Sequence, residues 1–302
     1  MARILITGGT VFVSKALAEH FVRGGDDVTV VNRGSRPQVD GVRLVQCDRG
    51  ELGDRLAGQS FDLVVDVNAY DRQDVVQLTD ALAHTHVGTI VLISSSAVYP
   101  ETNLQPFAEG VRLGENTVWG AYGLGKIEAE RALLERAPHA YIVRPPYLYG
   151  PGNNVYREAF VFDCARRDRV FRLPGDGSMR LQFFHIRDLC QFVERIAQQQ
   201  PEQHIFNVGN PQTVSVRDWV EMCYRAAGRD AAPCTSVTGV PQRLFFPFHD
   251  YGYELDVRGQ QQVLPTTIPL EAGLHEAYDW YCAHGDEVTA KPYMEYIDRE
   301  LA

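Results

Sequence analysis

The first thirty residues constrain the possible fold more than any other part of the sequence. Residues 3–7 form a short apolar run with β-branched side chains, and the glycine-rich turn Gly8-Gly9-Thr10 follows it. Residues 13–24 have the spacing of an amphipathic helix, and residues 27–32 form a second apolar run. A strand, a glycine turn, a helix and a second strand are the typical beginning of a doubly wound parallel α/β fold of the Rossmann type.

The rest of the first half repeats this alternation. Further apolar runs lie at 43–46, 62–66, 88–94 and 140–144, with helical patterns between them. Such runs are typical of strands that are buried on both faces. From Tyr147 onward the pattern changes, so we predict a smaller, C-terminal substrate-binding lid domain. The predicted boundaries are 1–146 plus about 178–212 for the dinucleotide-binding domain, and about 147–177 and 213–302 for the lid.

The glycine turn is the candidate phosphate-binding loop. Glycine lets the backbone approach a pyrophosphate, which then meets the N-terminus of the following helix. Thr7-Gly8-Gly9-Thr10 agrees with this pattern, but Val11 and Ser14 stand where further glycines are expected. Val11 carries a branched side chain at the point of closest approach, so we expect weakened binding and a displaced loop. The alternative is a strand-to-helix turn that holds no ligand.

The end of the second strand usually determines which dinucleotide is bound. An Asp or Glu there binds the ribose 2′-hydroxyl of NAD, and a nearby Arg accommodates the 2′-phosphate of NADP. This sequence has Asn32-Arg33-Gly34-Ser35-Arg36 at that place. The two guanidiniums favour NADP over NAD, although Asn32 could also bond a ribose hydroxyl. Asp48, after the third strand, is either an adenine contact or a turn-forming residue.

Tyr122 and Lys126 form a candidate acid/base pair on a predicted helix. Residues four apart lie on the same helical face. A phenol with a pKa of about 10 exchanges protons poorly at neutral pH, and an adjacent ammonium lowers that pKa. The pair could therefore move a proton to or from an alcohol or a carbonyl. Taken alone, Tyr-x-x-x-Lys also occurs by chance on solvated helices.

The net charge, the apolar runs and the spacing of cysteine and histidine limit the kinds of partner and site that we expect. The net charge of −10 argues against nucleic acid or an anionic membrane surface as the main partner, because phosphate binding needs a basic face. We expect no membrane-spanning segment and a cytoplasmic location. The six cysteines form no Cys-x-x-Cys pair, so we expect buried thiols, and the histidines show no metal-ligand spacing.

Several further motifs appear in a fixed order along the chain. They are Ser94-Ser95-Ser96-Ala97-Val98-Tyr99, Arg144-Pro145-Pro146-Tyr147-Leu148-Tyr149-Gly150-Pro151, Pro174-Gly175-Asp176-Gly177-Ser178, Phe184-His185-Ile186-Arg187-Asp188 and Phe206-Asn207-Val208-Gly209-Asn210. Together with the glycine turn and Tyr122-x-x-x-Lys126, they resemble the extended short-chain dehydrogenase/reductase family, of the nucleotide-sugar epimerase and dehydratase type. The resemblance spans nearly the whole chain.

The resemblance implies a catalytic set and two binding sets. Ser95 would hydrogen-bond the reacting sugar oxygen, Tyr122 would exchange the proton, and Lys126 would hold the nicotinamide ribose. The residues implied for the cofactor, NAD or NADP, are Thr7, Gly8, Gly9, Thr10, Val11, Phe12, Val13, Asn32, Arg33, Arg36, Asp48, Asn68, Ala69, Ser94, Tyr122, Lys126 and Pro145. Those implied for the sugar substrate are Ser96, Tyr147, Asn154, Arg180 and Arg243.

The sequence also departs from this family. The 4,6-dehydratases carry Asp-Glu directly after the catalytic hydroxyl, where this chain has Ser96-Ala97, so that dehydration lacks its acid and base. Many sugar epimerases have Asn where this chain has Tyr147. The pattern also resembles the branch that includes chloroplast stem-loop RNA-binding proteins, a role that the acidic balance disfavours. We therefore expect an epimerase or reductase, and the rival hypothesis is a dinucleotide-binding protein without turnover.

Two further expectations concern the helices and one aromatic stretch. Related enzymes form homodimers through two helices, which here correspond to the segments near 71–85 and 121–136, with Val75, Leu78, Leu82 and Leu133 as apolar positions. The stretch from Arg243 to Tyr253 is rich in aromatic residues. It could stack a base or a sugar, or it could form the core of the lid.

Overall fold

The computed structural model describes residues 1–301. The strands, in chain order, are β1 (Arg3–Thr7), β2 (Asp27–Asn32), β3 (Arg43–Gln46), β4 (Ser60–Asp66), β5 (His86–Ile93), β6 (Tyr141–Arg144), β7 (Tyr147–Tyr149), β8 (Phe171–Pro174), β9 (Arg180–Leu181), β10 (Phe183–His185), β11 (Ile205–Asn207), β12 (Val214–Ser215) and β13 (Cys234–Val237). The helices are α1 (Phe12–Arg23), α2 (Arg72–Ala81), α3 (Gly120–Arg136), α4 (Glu158–Arg166), α5 (Ile186–Gln199), α6 (Val216–Ala226), α7 (Arg258–Val263), α8 (Leu270–His284) and α9 (Tyr293–Glu300).

The chain divides into two compact units. The first unit comprises Met1–Pro146, Ile186–Gly209 and Leu255–Thr266, and the second comprises the intervening segments and the C-terminal part. This division differs from our predicted one at two places. Residues 178–185, which we assigned to the dinucleotide-binding domain, lie in the second unit, and residues 255–266, which we assigned to the lid, lie in the first. Strand β11 and helix α5 explain the return to the first unit, because β11 pairs with β6 in its sheet and α5 packs against α1.

A seven-stranded parallel sheet forms the centre of the first unit. Its strand order is β11-β6-β5-β4-β1-β2-β3. The interior strands are apolar on both faces, as in Ile4, Leu5 and Ile6, because helices cover the sheet on both sides. Helix α1 packs against α5, and α2 packs against α3. The doubly wound Rossmann-type fold predicted from the sequence is confirmed.

The direction of winding reverses between β1 and β4. From β1 the chain proceeds to β2 and β3, whereas from β4 it proceeds the other way to β5 and β6. Right-handed crossovers in opposite directions leave a crevice at this switch point, outside the carboxyl ends of the strands. Loops that follow β1 and β4 therefore form the expected ligand-binding edge of the sheet.

The second unit has its own apolar core. Phe160, Phe162, Phe183, Trp219 and Phe246 are buried in it, and helices α4, α6 and α8 pack around them. Short strand pairs complete this unit: β7 with β10, β8 with β13, and β9 with β12. No helix within residues 1–301 is both long and apolar enough to cross a membrane.

The cysteines are free thiols, as expected, but they are not all buried. Cys47, Cys164, Cys190 and Cys223 are buried, whereas Cys234 is half-buried and Cys282 is exposed. Cys282 lies on α8, a helix that packs one face inward and leaves the other in solvent.

Candidate active site

Helix α3 presents Tyr122 and Lys126 at its first turns. The Lys126 nitrogen Nζ lies 6.0 Å from the centre of the Tyr122 ring and 5.3 Å from the centre of the Tyr70 ring. Tyr122 is 43% exposed, while Lys126 is buried. The structure therefore brings together the two residues that the sequence singled out, with the phenol open to a substrate and the ammonium behind it.

Backbone carbonyls hold Lys126 in place. Its Nζ donates hydrogen bonds to the carbonyl oxygens of Ala69 (2.7 Å), after β4, and Ile93 (3.0 Å), at the end of β5. Burial lowers the pKa of Lys126 to about 8, against the opposing effect of the nearby carboxylates of Asp66 and Glu130. An ammonium that is buried but hydrogen-bonded keeps its charge near the phenol at neutral pH.

Two glycines allow α3 to approach the ends of the strands. A β-carbon on Gly123 would overlap the carbonyl oxygen of Ala97, and one on Gly125 would overlap that of Tyr70. Gly123 directly follows Tyr122 and Gly125 directly precedes Lys126, so the helix that carries the pair lies against the turn that Ser95 begins. Only a residue without a side chain permits this distance between backbones.

Ser95 begins a short 3₁₀ turn, Ser96–Val98, at the end of β5. Its hydroxyl oxygen accepts a hydrogen bond from the backbone N–H of Ala97 at 3.2 Å, which fixes the side chain at the start of the turn. The next residue, Ser96, is buried, and its backbone N–H donates to the carbonyl oxygen of Pro145 at 3.0 Å. A backbone hydrogen bond thus joins the serine turn to the residue that directly follows β6.

Ser94 has a partner within the protein that we did not predict. Its side chain is buried, and its hydroxyl donates to Glu130 Oε1 at 2.5 Å. Because this hydroxyl donates to a buried carboxylate of α3, it is already bonded within the protein, and the cofactor contact that the resemblance implied for Ser94 stays a prediction. No sequence pattern indicated this partner, since Glu130 is one of several charged residues on α3.

A cavity of about 720 Å³ lies at the switch point of the sheet. Most of the predicted cofactor-binding residues line it: Thr7, Gly8, Thr10, Val11, Phe12, Val13, Asn32, Arg33, Arg36, Asp48 and Asn68. Further lining residues, which sequence reasoning missed, are Ser14, Val31, Ser35, Cys47, Arg49, Val67, Tyr70 and Asp74. The remaining predicted contacts, Gly9, Ala69, Ser94, Tyr122, Lys126 and Pro145, are not part of this lining.

The loop after β1 has its own geometry. Gly8 and Gly9 have φ angles of +98° and +97°, and Phe12 also adopts a positive φ, of 33°. Val11 is extended, with φ −135° and ψ 133°, a conformation open to any residue. The backbone conformation at position 11 therefore does not require glycine. The left-handed conformation occurs one residue later, at Phe12.

Ser14 fills the space that the loop leaves. Its Oγ would lie 2.7 Å from a β-carbon on Gly8, and it donates a hydrogen bond to the carbonyl oxygen of Val11 at 3.1 Å. Ser14 is buried at the start of α1. It packs the helix against the glycine turn, and it also fixes the carbonyl of Val11.

The end of β2 is organised by Asn32. Its Nδ2 donates to the carbonyl oxygen of Gly8 at 2.7 Å and to Gln38 at 2.9 Å, while its Oδ1 accepts from the N–H of Gly34. Arg33 and Arg36 are exposed at the cavity. The structure therefore shows a role for Asn32 that we did not predict, which is to hold the glycine loop.

Asp48 serves as a turn residue, one of the two alternatives. Its side chain accepts from the N–H of Gly50 at 3.0 Å, and it also lines the cavity. The adjacent Arg49 was not among the predicted site residues, and the structure places it in the cavity lining. Its guanidinium pairs with Asp66 at the end of β4, and its Nε donates to the carbonyl oxygen of Asp74 at 2.8 Å. The signal that could have identified this pair is the occurrence of polar residues at the ends of two parallel strands.

Thr7 completes this arrangement. Its hydroxyl donates to Asp66 Oδ1 at 2.8 Å and accepts from the N–H of Val67 at 2.9 Å. The side chain of Thr7 thus joins the ends of β1 and β4 across the switch point. We predicted it as a cofactor contact, and its hydroxyl is already used within the protein.

In the second unit, Tyr147 lies among charged and aromatic neighbours. The guanidinium carbon of Arg157 lies 5.4 Å from the centre of its ring, and the Phe248 ring lies at 4.7 Å. Burial raises the pKa of Tyr147 to about 12, and the charges of Arg157 and Arg243 oppose that shift. Tyr147 and Arg243, both predicted substrate residues, are therefore close enough to interact.

Asn154 and Arg180, the other predicted substrate residues of this unit, have structural contacts. The carbonyl oxygen of Asn154 accepts from the N–H of Thr289 at 3.0 Å. Arg180 donates from Nε to Thr213 Oγ1 at 2.9 Å and from Nη2 to the Thr213 carbonyl at 2.5 Å. Arg180 is itself a residue of β9, and its side chain is thus held by Thr213, the residue before β12.

The aromatic stretch is mostly core. Phe245, Phe246 and Phe248 are buried, and Phe248 packs edge-on against Trp219 with ring centres 5.1 Å apart. The lid-core interpretation is therefore correct for these three residues, and base stacking by them is excluded. Arg243 differs, because it is exposed and lines a separate cavity of about 400 Å³ with Lys291 and Arg299.

Comparisons with known proteins agree with this geometry. The chain is 25% identical to the chloroplast stem-loop binding protein of 41 kDa b of Arabidopsis thaliana, over 92% of this chain and 78% of that protein. It is 24% identical to a dTDP-4-dehydro-6-deoxy-D-allose reductase of a Streptomyces species, over 93% and 96%. The crystal structure of UDP-glucuronic acid 4-epimerase from Bacillus cereus, in complex with UDP-glucuronic acid and NAD, superimposes with a TM-score of 0.73 at 17% identity, covering 93% and 99%.

These likenesses cover almost the whole chain, and the structural one shows that the fold is shared. The family model for the NAD dependent epimerase/dehydratase family matches residues 4–209, which include the glycine loop, the serine turn and the Tyr122–Lys126 pair. The resemblance inferred from the motifs is confirmed, and the chain belongs to the NAD dependent epimerase/dehydratase family, the extended short-chain dehydrogenase/reductase type.

Proposed function

We propose that this protein is an NAD(P)-dependent redox enzyme that acts on a secondary alcohol or ketone of a nucleotide-linked sugar, as an epimerase or a reductase. The observation that carries the proposal is the pair of Tyr122 and Lys126, with an exposed phenol one helical turn from a buried ammonium. Family membership and the nucleotide-sugar ligands of the structural relative support the substrate class.

The residues at the switch point fit a dinucleotide. The cavity of about 720 Å³ is lined by the glycine loop, and Val11, the N-cap residue of α1, makes no side-chain hydrogen bond to the helix. The first N–H groups of α1 can therefore meet a pyrophosphate. The bound nicotinamide would supply or accept the hydride. Arg33 and Arg36, exposed at the cavity, favour the 2′-phosphate of NADP, although the structural relative binds NAD.

The protein's own residues would manage the proton. Tyr122 would give its phenolic proton to the substrate oxygen in reduction and take it back in oxidation. Ser95 would donate a hydrogen bond to the same oxygen. Lys126, held by the carbonyls of Ala69 and Ile93, would stabilise the Tyr122 phenolate and bind the ribose of the cofactor. Ser96 and Ala97 follow Ser95 where the dehydratases carry Asp-Glu, which favours epimerisation or reduction over dehydration.

A homodimer is part of the proposal, but not through the apolar positions first named. Val75, Leu78, Leu82 and Leu133 are buried within the chain. The exposed faces of α2 and α3 instead carry ion pairs, such as Arg72 with Glu135. Sedimentation at micromolar concentration tests this part, since a single species near 33.9 kDa would exclude the dimer.

Mass spectrometry of ligands released from freshly purified protein tests which cofactor and sugar nucleotide the protein binds. The expected result is NAD or NADP, with or without a sugar nucleotide. The rival hypothesis, a dinucleotide-binding protein without turnover, also predicts a released dinucleotide. Incubation with UDP- and dTDP-linked sugars then separates the two, because only the enzyme changes the sugar.

A further inference from the structure

A buried polar network lies behind Tyr122 and Lys126. Glu130, one turn after Lys126 on α3, is buried and forms an ion pair with Arg144 at the end of β6. Arg144 donates from Nε to Glu130 Oε1 at 2.9 Å and from Nη2 to Oε2 at 2.6 Å. The Ser94 hydroxyl donates to the same Oε1 at 2.5 Å. Each oxygen of this carboxylate is therefore bonded.

The network continues on the far side of Arg144. Its Nη1 donates to the Tyr99 hydroxyl at 2.8 Å and to the carbonyl oxygen of Glu109 at 3.1 Å. The Tyr99 hydroxyl donates in turn to Asn207 Oδ1 at 2.7 Å. A network whose members are all satisfied is rigid, and it specifies one arrangement of the elements that it joins.

We propose that Glu130 is a positioning residue, which ties α3 to the serine turn through Ser94 and places a fixed negative charge behind Lys126. Ser94 precedes the catalytic candidate Ser95, and Glu130 lies four residues after Lys126 on the same helical face. One carboxylate therefore fixes the helix that carries the proton-exchanging pair relative to the serine that would bind the substrate oxygen. The kinetic part of this inference rests on the proposed function.

The charges that face Lys126 come from several elements. Asp66, Asp74 and Glu130 raise its pKa, while burial and the Arg49 guanidinium lower it. The rings of Tyr70 and Tyr122 lie beside it. Of the three carboxylates, Asp66 is paired with Arg49 and Glu130 with Arg144. Replacement of Glu130 by Gln removes one of these charges with little change of shape.

The first experiment needs no substrate. The chain has three lysines, Lys15, Lys126 and Lys291, so ¹³C-lysine NMR resolves each titration, and Lys126→Met assigns the signal. We expect Lys126 to titrate near pH 8 in the wild type and at lower pH in Glu130→Gln. An unchanged midpoint in a folded Glu130→Gln variant would refute the proposal. If that variant does not fold, because Arg144 is left buried without its partner, the double variant Glu130→Gln/Arg144→Gln takes its place.

The second experiment isolates the link through Ser94. Ser94→Ala keeps the ion pair and removes only one hydroxyl, so we expect kcat to fall about tenfold or more from misplacement of Ser95, with KM and Tm nearly unchanged. Ser94→Thr, which restores a hydroxyl, is expected to recover most of the turnover. Thr89→Ala is the matched control, because it removes another buried, hydrogen-bonded hydroxyl from β5, the strand that Ser94 directly follows.

A merely structural role for Ser94 gives a different result. In that case Ser94→Ala would lower Tm as much as Thr89→Ala does and would leave kcat unchanged, which would overturn the inference. If the wild type turned over no sugar, the proposed function would fail, whereas the titration of Lys126 would still test the charge of Glu130. The two failures are therefore distinguishable.

Discussion

The Lys126 ammonium nitrogen lies 6.0 Å from the centre of the Tyr122 ring, one helical turn away on α3. Lys126 is 3% exposed and Tyr122 is 43% exposed, so the charge is shielded while the phenol is accessible. A cation placed behind a phenol stabilises the phenolate and makes proton exchange possible at neutral pH. The predictions that follow test the parts that create this arrangement.

Gly123 sets the distance between α3 and the serine turn. In Gly123→Ala the new β-carbon would overlap the Ala97 carbonyl oxygen, so helix and turn must separate. We expect a loss of about 1–3 kcal/mol in the free energy of unfolding and a marked fall in kcat. Gly110→Ala is the control, since its β-carbon would meet open space. Equal stability of the two variants in denaturant titrations would contradict this.

Burial of Lys126 makes stability depend on pH. Its pKa is near 10.5 in the unfolded chain and about 8 in the fold, so folding penalises the protonated form. The penalty is present below pH 8 and is relieved as the pH rises towards 10.5, because the unfolded chain then binds more protons. The wild type should therefore gain stability relative to Lys126→Met across this range, by up to about 3 kcal/mol. Urea unfolding of both proteins at several pH values measures the difference, and a constant difference would count against the assignment.

Arg33 is predicted to direct the choice of dinucleotide. It is exposed at the cavity beside Arg36, where the 2′-phosphate of NADP would lie. Arg33→Ala should weaken NADP binding by about 1.5–3 kcal/mol, the usual contribution of a hydrogen bond to a charged group, and leave NAD binding nearly unchanged. Calorimetric titration of both dinucleotides provides the test, with Arg23→Ala, on α1, as a control for the loss of surface charge. Equal losses for NAD and NADP would remove the hypothesis.

Val11 offers a test of the altered glycine loop. Its backbone is extended, a conformation that does not require glycine, and its side chain lines the cavity. A glycine at this position would therefore enlarge the cavity without relieving backbone strain. We expect Val11→Gly to tighten dinucleotide binding by about 1 kcal/mol and to lower Tm slightly, because glycine gives the unfolded chain more conformational freedom. Weaker binding by the glycine variant would show that the loop around Phe12 is a specialised site.

The elements of the fold were largely predictable, because each has a local pattern. The apolar runs at 3–7, 27–32 and 43–46 coincide with β1, β2 and β3. Ser215, a residue type typical of helix N-caps, caps α6, with its hydroxyl accepting from the N–H of Asp218. Hydrophobic periodicity and caps act over a few residues, so one sequence is sufficient to recognise them.

The partners of polar side chains could not be predicted in the same way. Ser94 with Glu130, Arg49 with Asp66 and Thr7 with Asp66 are contacts between residues that are far apart in sequence. They depend on the order of strands and on the side of the sheet to which a helix returns. The sequence located polar residues at strand ends, but only the three-dimensional arrangement shows which of them bond to each other and which face the cavity.

The central claim is that Tyr122 moves the proton in a reaction at a sugar carbon. The direct measurement is kcat of wild type and Tyr122→Phe with a sugar nucleotide that the wild type converts. The account predicts a 10²–10⁴-fold loss, the range expected of general acid–base catalysis, with Tm nearly unchanged because the phenol is half-exposed. A Tyr122→Phe variant that keeps more than about a tenth of the wild-type kcat would contradict the claim, since that loss is far smaller than removal of a general acid should cause.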